Sequence, residues 1–140
     1  VDASGAFLPG NVVAFIDDGS GDVSDSVIDE VYAAIDDVRP AAVSIQVVRP
    51  KVVRPPVTMT VSVNSAGDLP TIQTTIRTNI ATYLNGLTIG ESASYSRLIQ
   101  IAYASSTAVT NVSGVTLAGG TADLPATTGT AYRAGTVTFG

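Results

Sequence analysis

The chain has no cysteine and no histidine. The first absence excludes disulfides and thiolate metal sites without settling the compartment. The second removes the commonest general base and metal ligand together. A serine nucleophile needs an activating base, so only a Ser–Lys arrangement remains. Lys51 is the sole lysine and sits at no Ser-x-x-Lys spacing, and there is no Gly-x-Ser-x-Gly elbow. Gly119-Gly120 lacks both the P-loop lysine and the dinucleotide pattern. Long apolar runs are missing too. None approaches the roughly 20 residues a bilayer span needs, so membrane insertion is not expected. Neither a secretory signal nor an initiator methionine is present, which reads as a piece excised from a longer protein.

What is present suffices for a folded core. The 140 residues are 45% hydrophobic and only 14% charged, which suits one domain or two small subdomains and argues against disorder. The net charge of −5 is unevenly spread: nine of the twelve acids fall in residues 1–37, while Arg39, Arg49, Lys51 and Arg54 supply four of the seven cations. The two stretches read as complementary surfaces within or between copies, or as a solvated helix face beside an edge strand carrying anti-aggregation cations. Few cations and no basic–aromatic interleaving argue against nucleic-acid binding.

Residues 39–64 organise the chain. Val43, Ile45 and Val47 alternate with Ser44 and Gln46, and Val57, Met59, Val61 and Val63 alternate with Thr58, Thr60 and Ser62. Both halves have the period of half-buried strands. Pro50, Pro55 and Pro56 between them remove ladder donors, so a strand closes one unit, a proline-marked transition follows, and another strand opens the next.

Upstream, a lead-in turns at Pro9-Gly10, and Val12 to Ile16 form a short strand. Asp17-Asp18-Gly19-Ser20-Gly21-Asp22 is a dense turn. An EF-hand reading fails, because counting from Asp17 puts Gly19 and Gly21 where ligands are needed. A plain strand-to-helix loop is the stronger reading than any other weak cation site. Ser24 is the expected N-cap of a helix that buries Val27, Ile28, Val31, Ile35 and Val38 and stops at Pro40.

Downstream of the second strand, Asp68 and Pro70 open a helix with the stripe Leu69, Ile72, Ile76, Ile80, Tyr83 and Leu84, closed by Gly86 at C′. Ser92 or Ser94 begins a third helix carrying Tyr95, Leu98, Ile99, Ala102 and Tyr103. Residues 108–118 alternate as a strand bulged at Gly114, residues 119–131 are a loop, and Tyr132 to Phe139 close the chain as one strand. The carboxylates around Asp17 to Asp37 could supply a hydrolase pair, but they read better as an acidic helix face. No catalytic, cofactor-binding or metal site is expected, and the chain is not read as an enzyme.

The order of these segments resembles the C-terminal part of the baseplate J family, the wedge proteins of contractile phage tails and related injection systems. The resemblance rests on residues 9–21, the helix ending at Arg39-Pro40, the proline-separated strands and the helix ending in Tyr83-Leu84. Leu87-Thr88-Ile89-Gly90-Glu91 and Ala134-Gly135-Thr136-Val137-Thr138 complete it. The chain departs from the family at Ala108-Val109, where members often carry Gly-Val. The resemblance implies a structural, non-catalytic role in a virion tail baseplate assembled in the host bacterial cytoplasm. It implies contacts to other wedge subunits, with self-association open.

The fold expected is α+β, as strand-helix-strand over residues 1–54 and strand-helix-helix-strand-strand over residues 55–140. The candidate subunit-contact residues are Arg49, Lys51 and Arg54, with the acidic helix face beside them. The rival reading is a surface-binding or adhesin module using the 119–131 loop.

Overall fold

In the computed structural model the described residues are 10–140, so the expected lead-in over residues 1–9 lies outside them. The fold is α+β. Among the described residues three small sheets carry it, and one strand dominates. β4 (Val57–Val63) buries Val57, Met59 and Val61 and exposes Thr58, Thr60 and Ser62. It pairs antiparallel with β5 (Val109–Leu117) and parallel with β7 (Val137–Phe139). The β4–β5 register slips between Thr58 and Thr60, opposite Gly114. That residue has φ +58, so the expected bulge is there and glycine relieves its backbone.

Two helices cover the apolar face of this sheet. α2 (Leu69–Asn85) lies against β4 and buries Ile72, Ile76, Ile80 and Leu84, and α3 (Tyr95–Ala104) lies against β5 and buries Leu98, Ile101 and Ala102. With Leu87, Ala93, Val115, Leu117, Tyr132 and Val137 they close one core. α2 is rich in threonine, a poor helix former. The hydroxyls of Thr74, Thr75, Thr78 and Thr82 each donate to the carbonyl four residues back, which satisfies them without leaving the helix. Gly86 ends α2 at φ −83 in the right-handed region. The left-handed C′ expected there does not form, because its N–H bonds back to Thr82 and Tyr83 in a tightened last turn.

The remaining elements precede this core. β1 (Asn11–Phe15) pairs parallel with β2 (Ser44–Val48), with α1 (Asp25–Asp36) between them in sequence and set against β2. Ser24 is the N-cap residue, but α1 does not bury the expected stripe. It has no buried residue; Ile28, Val31 and Ile35 are half-covered, while Val27 and Val38 are exposed. Two strands are too narrow to cover a five-residue apolar arc, and Val38 lies beyond the helix end.

The proline-marked transition is itself paired. β3 (Lys51–Val53) lies between Pro50 and Pro55 and runs parallel to β6 (Thr130–Tyr132). β6 therefore takes up Thr130 and Ala131 of the expected 119–131 loop, and the single closing strand expected from Tyr132 to Phe139 is reduced to β7 (Val137–Phe139), with Tyr132 ending β6. Gly135 makes the break: a Cβ there would stand 2.7 Å from the Pro55 carbonyl oxygen and 2.9 Å from that of Arg54. Among the described residues no helix is long and apolar enough to cross a membrane.

Candidate functional site

The basic segment after β2 is placed by the parallel geometry. β1 and β2 leave their sheet at the same end, so the Asp17–Asp22 loop and Arg49 meet there. Arg49 Nε donates to the Val23 carbonyl at 2.7 Å and its Nη2 donates to Asp25 at 2.6 Å, with Asp22 at 3.5 Å. The hydrogen bond to Asp25 raises the Arg49 guanidinium pKa above its ordinary value. The acidic and basic stretches thus complement each other within the chain at this point.

Lys51 and Arg54 are exposed. Lys51 shares with Arg49 a shallow groove floored by Phe15, Val48 and the Thr127–Thr130 segment. Arg54 faces a different groove, beside Ser20, Gly21 and Val52, and its Nη1 donates to the Ala134 carbonyl at 3.0 Å. The structure brings Arg49 and Lys51 together and sets Arg54 apart from them.

The loop ahead of α1 is braced by its own carboxylates. Asp17 Oδ1 accepts from the Gly19 and Gly21 amides at 2.9 and 2.8 Å. Asp18 Oδ1 accepts from the Ser20 hydroxyl at 2.5 Å and the Ser20 amide at 2.9 Å. The Ser20 hydroxyl, followed by its amide, holds the Asp18 carboxyl below the usual aspartate range. One oxygen of each carboxylate is thus engaged within the loop, and no cluster of three or more potential metal-ligating side chains occurs among the described residues.

Arg133, which sequence reasoning did not single out, matters most here together with Asp17, which was weighed only as a cation ligand or hydrolase carboxylate. Asp17 Oδ2 accepts from Arg133 Nη2, and both side chains are buried. Arg133 Nη1 also donates to the Leu87 and Tyr132 carbonyls at 2.9 and 2.7 Å. The available signal was a lone arginine inside the apolar Tyr132–Ala134 stretch, since buried cations are found where they are paired.

The middle of the 119–131 loop is tied to the rest of the chain, although most of its side chains are exposed. Asp123 Oδ1 accepts from the Tyr95 amide at 2.7 Å, the Pro125 carbonyl accepts from the Tyr132 hydroxyl at 2.8 Å, and Leu124 bridges Ala93. Tyr83, Tyr95 and Tyr132 pack in or against the core, while Tyr32 and Tyr103 are exposed. Tyr83 accepts from the Ser94 amide, and Tyr95 donates to the Val115 carbonyl.

No curated protein is significantly similar to the chain. Residues 56–140, which hold the packed core from β4 to β7, match the family described as Baseplate J-like protein C-terminal domain. By that match the chain belongs to the baseplate J-like family.

Proposed function

We infer that the chain is a structural, non-catalytic module of a contractile phage-tail or prophage-derived baseplate, acting through contacts with neighbouring wedge subunits. The observation that carries this reading is the family match across the whole packed core, residues 56–140. The chemistry agrees with it: no histidine, no cysteine and a solitary lysine leave few means of catalysis. Self-association and the localisation to a virion tail belong to the same reading. The adhesin alternative draws less support, because Asp123, Leu124 and Pro125 of its proposed binding loop are bonded within the chain.

Of the candidate contact residues, Lys51 and Arg54 carry the proposal best. All three are exposed beside grooves, but Arg49 is tied to Val23 and the Asp25 carboxylate, whereas Arg54 donates only to the Ala134 carbonyl. The test is the double variant Lys51→Glu/Arg54→Glu, followed for incorporation into particles and for thermal stability. Reduced incorporation at unchanged Tm is expected. Normal incorporation overturns the contact assignment.

A further inference from the structure

The main apolar cluster is one-sided. Its buried residues and the hydrophobics packed on them lie between Val53 and Phe139, and β1, α1 and β2 contribute none, although Val23 is buried outside that cluster in the loop ahead of α1. Val12, Val27 and Tyr32 of those three elements are exposed. What joins them to the rest is concentrated where the parallel strands β1 and β2 both end. Phe15 packs so close on Gly129 that a Cβ there would stand 2.5 Å from its ring. Gly21 likewise rides on Val52, where a Cβ would stand 2.1 Å from Cγ2. Asp17 pairs with Arg133 beside them.

We propose that the Asp17–Arg133 pair is a latch. It holds the β1–α1–β2 segment against the core, and breaking it frees that segment to swing as a body while residues 51–140 stay folded. The pairing of β3 with β6 places the hinge at Arg49–Pro50, at the early end of the proline-marked stretch. Three features suit a releasable contact. The segment is attached at one end only, so release disrupts few packed surfaces. Opening returns two buried charges to water, which recovers their hydration. Arg133 Nε is buried with no hydrogen-bond partner among the described residues, so the closed state leaves a donor unmet that the open state would hydrate.

The test is amide hydrogen exchange along the full chain, comparing the wild type with Asp17→Asn. Asparagine keeps an oxygen for the Gly19 and Gly21 amides while withdrawing the charge that Arg133 pairs with. The expected result is exchange faster by about tenfold or more in β1, α1 and β2, with β4, α2 and α3 unchanged. Equal acceleration in both parts, or none in either, overturns the latch. Should the variant fail to fold, exchange of the wild type in low denaturant decides. The latch requires β1, α1 and β2 to share an opening at lower denaturant than β4 and α2, and a single common opening contradicts it.

Discussion

Asp17 and Arg133 stand 116 residues apart in the chain and form an ion pair with side chains only 6% and 5% exposed. One residue follows the first strand and the other follows β6. The pair therefore ties the family-matched core to the elements that precede it. Because both charges are desolvated, removing one partner is costlier than the pair's own net contribution. Arg133→Met is expected to destabilise the closed arrangement of β1, α1 and β2 on the core by about 3–5 kcal/mol, read from hydrogen exchange in those elements. A change under 1 kcal/mol, roughly the worth of an exposed pair, would show that the burial confers nothing.

The two parts of the chain should respond unequally to truncation. Ile76 is fully buried in the core, while Val27 on α1 is 41% exposed. Ile76→Ala should cost about 2–5 kcal/mol and Val27→Ala about 0.5 kcal/mol or less. Equal losses in chemical denaturation would contradict a core confined to the later elements.

Asp123 should act as a remote cap. The Ser94 hydroxyl at the N-cap of α3 caps no backbone amide of the first turn, pairing instead with the Ser96 hydroxyl, and Asp123 supplies the acceptor to the Tyr95 amide. Asp123→Ala is expected to cost about 1 kcal/mol, measured by thermal unfolding. Ser94→Ala should cost less, and the reverse order would displace the cap assignment.

How much of this was legible in the sequence follows from range. The alternation of Val57 to Val63 fixed β4 to the residue, and the helix stripe with Asp68 and Pro70 found α2, because those patterns are local. β3 and β6 are three residues each, paired about eighty positions apart, so neither carries a period of its own. The stripe on α1 was real, but its burial depended on how wide a sheet lay beneath it, and periodicity does not report that. Lys51 and Arg54 could be nominated from charge alone. Asp17 and Arg133 could not be joined, because nothing in either neighbourhood names the other.

Two glycines with positive φ separate backbone strain from crowding. Gly119 has φ +79 and open space at its Cβ position, whereas Gly129 has φ +73 and the Phe15 ring beside it. Both alanine variants carry the conformational penalty of about 1 kcal/mol, and Gly129→Ala should lose more. Adding Phe15→Leu should recover part of that excess in a double-mutant cycle. Equal costs at the two sites would mean the ring yields freely.

The Asp18 carboxyl should titrate below the ordinary 3.8 when followed by NMR. A depressed folded value means that its small stabilisation is present at neutral pH and fades as pH falls through that value. Ser20→Ala removes the leading cause and should move the titration back toward the ordinary value. An unchanged midpoint in the variant would remove the serine hydroxyl as the cause.

The most direct test of the baseplate reading is immunogold electron microscopy. Antibody against this domain would be applied to purified tailed particles carrying the full-length protein. The account predicts label concentrated at the distal end of the tail, where a baseplate sits. Intact tails that stay unlabelled, with the antigen on the cell surface instead, would contradict it.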